Sequence, residues 1–202
     1  VRFDAALRSR LTRHLAAHRR LVVTDAELTP AAVVVAIVGA RDHAGFWLTR
    51  RVSQLGSHTG QWALPGGRVD EGEAVVDAAL RELDEELAVG GVDVLGMLDD
   101  YPTRSGYCIT PVVAWADREV VPSPNPAEVA EVHHVALAEL DQPDVPRWAR
   151  VPEVDGPLIQ IPVVDTLVHA PTGAIMYQLR EVALHGRATR VADLDEPPFA
   201  WR

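Results

Sequence analysis

The chain has 202 residues, 48% of them hydrophobic, which is enough to bury one sizeable core. All 19 basic residues are arginine, and 29 acidic residues leave a formal net charge of −10. That balance argues against a protein that coats a nucleic-acid polymer, yet a few arginines or a bound cation could still receive a small anionic substrate. A single cysteine, Cys108, excludes an internal disulfide framework and fits a reducing cytoplasm. It sits in an apolar, strand-like run, where a structural thiol is the expectation.

Nothing in the sequence approaches the ~18 uninterrupted apolar residues of a membrane span. The first twenty residues are amphipathic and rich in arginine, unlike an apolar leader. The expectation is a cytoplasmic protein that does not enter a membrane.

Residues 3–19 carry Phe3, Leu7, Leu11 and Leu15 four apart, which predicts a helix. His14 and His18 have the spacing of a helical metal pair, but with no third ligand nearby they read as surface side chains. Residues 31–38 form an unbroken apolar run, read as a buried strand, and a turn at 41–45 leads into a second strand at 46–50. A polar, glycine-containing loop over 53–61 returns to Trp62-Ala63-Leu64-Pro65. A helix is expected over about 74–87, a strand over 92–99, a turn at 103–106 and a strand over 107–115. The proline-rich stretch 121–126 should be extended and locally stiff. Beyond it, 128–137 reads as a strand and 138–140 as the start of a helical turn. Two short strands split by Asp155-Gly156-Pro157 are expected within 151–166, an apolar helix over 173–184 and an irregular tail over 193–202. Strands interrupted by three helices predict one mixed α/β domain spanning residues 1–202.

The most informative stretch is 67–89. A glycine turn and Glu73 lead into Arg81-Glu82-Leu83-Asp84-Glu85-Glu86. On a helix, residues three and four apart are neighbours, so Glu82 lies over both Glu85 and Glu86. An acidic run is most often a solvated helix face. Crowded carboxylates that follow a tight Leu64-Pro65-Gly66-Gly67 turn suit another purpose, since Mg²⁺ and Mn²⁺ prefer carboxylate oxygen.

This segment resembles the Nudix hydrolase signature, G-x5-E-x7-R-E-U-x-E-E-x-G-U with U a bulky aliphatic residue. Gly67, Glu73, Arg81, Glu82, Leu83, Glu85, Glu86 and Val89 fall on it, while the late glycine is Ala88. Glycine there would suit a left-handed helix terminus, a conformation alanine enters at some cost. The resemblance implies an α/β/α sandwich with a mixed sheet and hydrolysis of a phosphoanhydride with Mg²⁺ or Mn²⁺. It makes Glu82 and Glu86 the primary metal ligands, with Glu85 sharing a cation and also a candidate catalytic group. The carbonyl of Gly66 or Gly67 is a plausible further ligand. Arg81 pairing with Glu73 would pin the loop to the helix. Residues 125–131 resemble the downstream acidic segment of many Nudix enzymes, which nominates Glu128 as the base, with Glu131 in reserve.

Upstream, residues 47–67 resemble the segment that marks coenzyme A pyrophosphatases, in which a Leu-Leu-Thr-x-Arg run leads to Phe-Pro-Gly-Gly. Leu48, Thr49, Arg51, Gly60, Pro65, Gly66 and Gly67 match it; Trp47, Val52, Gly56 and Leu64 depart from it. His58, Gln61 and the residues around 98–113 are also similar to that subgroup. The resemblance implies cleavage of coenzyme A or acyl-CoA to 3′,5′-ADP and 4′-phosphopantetheine or its acyl form. Candidate contacts to this small diphosphate substrate are Arg50, Arg51, His58, Gln61 and Arg104. Trp62 and Tyr101 could stack on adenine, although buried core roles are commoner. The alternatives are a pyrophosphatase for ADP-ribose, NADH or a dinucleotide polyphosphate, and a ligand-binding module without turnover. Intact Glu82, Glu85 and Glu86 weigh against the last. A homodimer stays open.

Overall fold

The structure, a computed structural model, describes residues 1–41, 43–52, 61–116, 120–163 and 166–198. Its organising element is the strand β1 (Thr29–Ala40), preceded by helix α1 (Ala5–Ala17) and followed by β2 (His43–Arg51), β3 (Trp62–Ala63) and β4 (Gly66–Arg68). Helix α2 (Val75–Leu87) comes next, then β5 (Asp93–Met97), β6 (Tyr101–Pro102), β7 (Tyr107–Trp115), β8 (Val129–Ala136) and the short helix α3 (Leu137–Leu140). The chain continues through β9 (Arg147–Ala149), β10 (Leu158–Val163), β11 (Thr166–Val168) and α4 (Thr172–Gln178).

On one edge β1 runs parallel to β7, from Thr29↔Tyr107 to Ile37↔Trp115. The opposite edge is shared: β4 pairs with Ala31, Ala32 and Val33, and β2 pairs only with Val38, Gly39 and Ala40. Beyond that hairpin β2 leaves β1 and pairs instead with β8 and β3. The main sheet is therefore mixed and forked, with β4 filling the space where β1 and β2 diverge.

Both faces of β1 are covered, which is why it reads as a continuous apolar run. Ala32, Val34, Ala36 and Val38 pack with Ala78, Ala79, Leu83 and Leu87 of α2. Val35 and Ile37 point the other way, into a cluster with Leu7, Leu11 and Leu15 of α1 and Ile175, Met176 and Leu179. A helix on each side of a mixed sheet gives the expected α/β/α layering. The second sheet among the described residues, β11-β10-β9, adds Ile159 and Ile161 to the α1 side. No helix of the described residues is long and apolar enough to cross a membrane.

Three local expectations need correction. His18 is not at the surface: its side chain is 2% exposed and its Nε2 lies 2.9 Å from Asp99. His14 likewise bonds inward, to the carbonyl of Ala183 at 2.9 Å. The first of the two strands expected within 151–166 is a turn region, and its place in the sheet is taken by β9, earlier in the chain. The apolar helix is α-helical only to Gln178 and continues as a π-helical segment over Leu179–Leu184.

Asp99 explains the burial of His18. It accepts from the Leu21 N–H at 2.8 Å, Gln178 Nε2 at 2.7 Å and Arg190 at 2.7 and 2.8 Å. Burial alone would raise this carboxyl; bonds from Leu21, Arg190, Gln178 and His18 instead hold it below the usual range. Neighbouring Asp100 accepts from Thr110 at 2.6 Å, from the Val23 N–H at 2.9 Å and from Arg20. The two carboxylates thus strap the connection between α1 and β1 onto the β5–β6 corner.

Helix α2 ends at Ala88 with φ 53° and ψ 41°, its N–H donating to the Asp84 carbonyl at 2.8 Å. This is the left-handed terminus that the spacing of the motif requires, held here by a residue with a Cβ. Left-handed geometry costs an L-residue ~1–2 kcal/mol, partly offset because glycine would lose more entropy on folding. Ala88→Gly should therefore stabilise the protein by about 0.5–1 kcal/mol. Thermal denaturation should show a Tm higher by about 1–3 °C; a lower Tm would contradict the account.

Candidate functional site

The apolar stripe of α2 runs through Ala79, Leu83 and Leu87, all buried. Glu86 lies three residues after Leu83 and seven after Ala79, so helical geometry puts it inside that stripe. It is accordingly 3% exposed. Its carboxylate reaches the fork in the sheet, where Thr49 of β2 donates through its hydroxyl to Oε2 at 3.3 Å and the Gly66 N–H of β4 also donates. Burial pushes the Glu86 carboxyl up to about 7, against the pull of the nearby Arg51 charge and the Gly66 and Thr49 hydrogen bonds; Glu82 pushes the same way as burial. Among the described residues no arginine is ion-paired directly with Glu86.

Arg81 ties the preceding loop to the helix. Its Nε donates to Glu73 Oε1 at 2.9 Å and one terminal nitrogen to Glu73 Oε2 at 3.1 Å, a two-point clasp. The nitrogen facing Glu73 Oε2 also reaches the Arg68 carbonyl at 3.1 Å, while the other donates to Glu82 at 2.8 Å and Glu85 at 3.1 Å. Glu73 closes its own turn by accepting from the Asp70 N–H at 3.0 Å. Hydrogen bonds from Arg81 and then from Asp70 hold the Glu73 carboxyl below its ordinary value. Arg81 is raised correspondingly by its bonds to Glu73 and Glu82.

Glu82 lies against the backbone of the glycine turn. A Cβ on Gly67 would sit 2.2 Å from Glu82 Oε1, so any other residue there would push the Glu82 carboxylate from its place beside Arg81. Glu85 is on the open side, its side chain 50% exposed. Among the described residues, no three Asp, Glu, His or Cys side chains are gathered in a cation-binding arrangement, and Arg81 holds one oxygen each of Glu82 and Glu85. The donor chemistry nevertheless fits a hard divalent cation. Glu86 is a buried carboxyl that no arginine among the described residues pairs with, its charge felt by Glu82, whose oxygens lie against Gly67 of the turn.

The end of β2 joins the second acidic segment to this helix. Arg51 is opposite Val129 and Arg50 opposite Glu131, so one residue of β8 bulges between them. The Val52 N–H donates to the Glu128 carbonyl at 3.0 Å. Asn125 fastens the same segment from the other side: its N–H donates to the Glu86 carbonyl at 2.9 Å and its Nδ2 to Glu128 Oε1 at 3.1 Å. Glu128 is thereby held beside the C-terminal end of α2. Glu131 is instead paired with Arg50 at 2.5 Å, and that guanidinium also covers the Trp62 ring.

The expected substrate contacts separate under this geometry. Arg51 is exposed and close enough for its charge to act on Glu86. Arg104 is in the β6–β7 turn, paired with Asp195 at 2.6 Å, and its N–H donates to Glu196 at 3.1 Å; these bonds face the C-terminal segment and not α2. Gln61 is half-buried just before β3. His58 lies outside the described residues. Trp62 and Tyr101 are core side chains, the latter donating to the Leu194 carbonyl at 2.7 Å. Thr49 is the residue whose contact the sequence did not reveal. Its signal was a polar side chain closing the apolar run Phe46-Trp47-Leu48.

Two outcomes follow from the clasp and the buried carboxylate. Arg81→Ala should lower both Tm and turnover, and Arg81→Lys should recover little, because an ammonium cannot serve Glu73 bidentately and reach Glu82 as well. A KM increase with unchanged melting would instead mark a substrate contact. For Glu86, a folded-state value raised above the ordinary 4.5 means stability that is fully present below about pH 4.5 and lost as pH rises through about 7. In metal-free buffer the wild type should lose on the order of 3 kcal/mol from this group across that window. Glu86→Gln should remove this slope and melt above the wild type at pH 8; parallel pH profiles for the two proteins would contradict it.

Residues 28–153, more than half of the chain, match the NUDIX domain. The chain is 41% identical over 112 residues to the uncharacterized Nudix hydrolase NudL of Cronobacter sakazakii and 40% identical over 112 residues to that of Escherichia coli O7:K1. Each match covers 54% of this chain and 58% of the relative, so the chain spans little more than half the length of these relatives. Among solved structures, the Nudix hydrolase RenU of M. smegmatis shares the fold, with a TM-score of 0.55 at 22% identity over 77% of this chain and 86% of that one. Because the domain match runs from the start of β1 past β9, it contains the whole loop-and-helix arrangement built on Arg81, and this chain belongs to the Nudix family.

Proposed function

We propose that this chain hydrolyses the diphosphate linkage of coenzyme A or an acyl-CoA, with Mg²⁺ or Mn²⁺, giving 3′,5′-ADP and 4′-phosphopantetheine or its acyl form. One observation carries the reading. The strand that resembles the coenzyme A pyrophosphatase segment, Leu48-Thr49-x-Arg51, ends against the carboxylate of Glu86. That contact supports reading the strand and the acidic helix as parts of one site. The 41% identity to NudL supports the family chemistry over the matched region and is silent on the substrate.

In this reading Glu82 and Glu86 hold the cation, with Glu85 and the Gly66 carbonyl as further oxygen donors. A bound divalent cation polarises a phosphoryl oxygen and lowers the pKa of its water. Arg81 acts through Glu73 and Glu82, fixing the loop relative to the helix. Glu128, steadied by the Asn125 amide, accepts the proton of the attacking water. Arg51 meets a phosphate of the substrate. Arg50 and Arg104 are each paired with a carboxylate, which leaves Arg51 as the best-supported contact of the three. The whole chain, 1–202, is read as one such domain acting in the cytoplasm.

A hydrolysis panel over coenzyme A, 3′-dephospho-CoA, ADP-ribose, NADH and a dinucleotide polyphosphate, with Mg²⁺ or Mn²⁺, tests this. Loss of a charge-assisted contact costs ~1.5–3 kcal/mol, so kcat/KM should fall roughly tenfold to a hundredfold on removing the 3′-phosphate. Arg51→Ala should erase much of that preference. Faster cleavage of ADP-ribose than of coenzyme A, with no 3′-phosphate preference, would replace the substrate and keep the hydrolase. Glu86→Gln should lower kcat at least ~10²-fold at saturating metal.

A further inference from the structure

We infer that Thr49 is a positioning residue that holds the carboxylate of Glu86 in the orientation from which it binds the cation. The inference rests on the reading of Glu86 as a metal ligand and adds a residue that acts through it.

Thr49 is placed where a hydroxyl is otherwise unfavourable. Its side chain is 1% exposed and follows Phe46, Trp47 and Leu48, all buried. Putting a hydroxyl in such surroundings costs stability unless it is hydrogen-bonded. A valine of similar shape would fill the strand position without that cost. Two acceptors lie within reach: Glu86 Oε2 at 3.3 Å and the Ala63 carbonyl at 3.5 Å. Ala63 is the cross-strand partner of Thr49 in the β2–β3 pair. A hydroxyl carries one hydrogen, and the nearer acceptor is also the one that can be charged, so Glu86 is the stronger partner when ionised.

The consequence for Glu86 is geometric. Its side chain is anchored to α2 and crosses the fork between β1 and β2 with three rotatable torsions. Thr49 fixes Oε2 from one strand, while the Gly66 N–H donates to the same carboxylate from β4. These two donors come from separate strands, so together they set both the reach and the rotation of the group. Arg81 does for Glu73, Glu82 and Glu85 what Thr49 and Gly66 do for Glu86. Glu73, Glu82, Glu85 and Glu86 are thus each held by a partner before any cation arrives. A carboxylate already oriented loses less freedom on binding metal, which raises affinity; partners that orient a ligand typically contribute 10–100-fold.

Stoichiometric Mn²⁺ binding without substrate, followed by calorimetry or by the electron paramagnetic resonance of free Mn²⁺, tests the role apart from turnover. Thr49→Val should weaken Mn²⁺ binding about tenfold or more, with a metal-free Tm equal to or above the wild type. Thr49→Ser, which restores the hydroxyl and removes the methyl, should bind within about threefold of the wild type. Should the valine variant fail to fold, Thr49→Ala against Thr49→Ser asks the same question, with weak binding expected for alanine alone. Wild-type affinity in both hydroxyl-free variants would overturn the inference. Serine binding as weakly as valine would also overturn it, since shape and not the hydroxyl would then matter. If Glu86→Gln binds Mn²⁺ as well as the wild type, the ligand role of Glu86 fails instead, whatever Thr49 does.

Discussion

Burying a carboxylate where a sheet divides is the constraint around which this molecule is arranged. Glu86 falls in the apolar stripe of α2 because of its spacing from Ala79 and Leu83. A closed sheet above that stripe would leave the charge without partners. Here β2 separates from β1 after three paired residues, and β4 enters beside β1. The separation exposes two donors to Glu86, a hydroxyl on β2 and an N–H on β4. They do not fully compensate its desolvation, which is why the group titrates near neutrality without a cation. A buried carboxylate whose charge its hydrogen bonds do not balance costs stability once it ionises.

The second constraint is mutual repulsion. Glu73, Glu82 and Glu85 would crowd one another on the loop and helix face, and one guanidinium serves all three. Arginine suits this place because its planar fork offers donors in several fixed directions. Its remaining bond, to the Arg68 carbonyl, fixes the backbone of β4 relative to α2. Gly67 is then pressed against Glu82 so closely that any side chain would collide. Loop, helix and strand are therefore coupled, and the site depends on their joint placement more than on any single pair.

The rest of the chain supports that placement from a distance. Asn125 links the Glu86 backbone to the Glu128 side chain, so the proline-rich stretch works as a splint between α2 and β8. The bulge opposite Arg50 and Arg51 sends two consecutive arginines to different tasks, one to Glu131 and Trp62, the other toward Glu86. On the far side of the sheet, Asp99 and Asp100 strap the α1–β1 connection with buried hydrogen bonds. That strap fixes the start of β1 and with it the register of β4 and the glycine turn.

Spacing along the chain determined α2, the acidic cluster and the Arg81–Glu73 pair, while the left-handed terminus at position 88 was implied only by the resemblance to the Nudix signature. These depend on contacts between residues a few positions apart, or on one helix-and-turn unit, so local periodicity carries them. The apolar run of β1 also announced a strand covered on both faces. Tertiary structure alone decided what happens between segments distant in the chain. It buried Glu86 more deeply than Glu82 or Glu85, brought Thr49 to it across the fork, paired Arg50 and Arg104 with carboxylates, and turned His18 inward onto Asp99. None of these has a sequence periodicity, because each depends on which strand edges pair. The sequence specifies the acidic residues of the helix; the divided sheet decides which carboxylate is taken out of water and what keeps it in place.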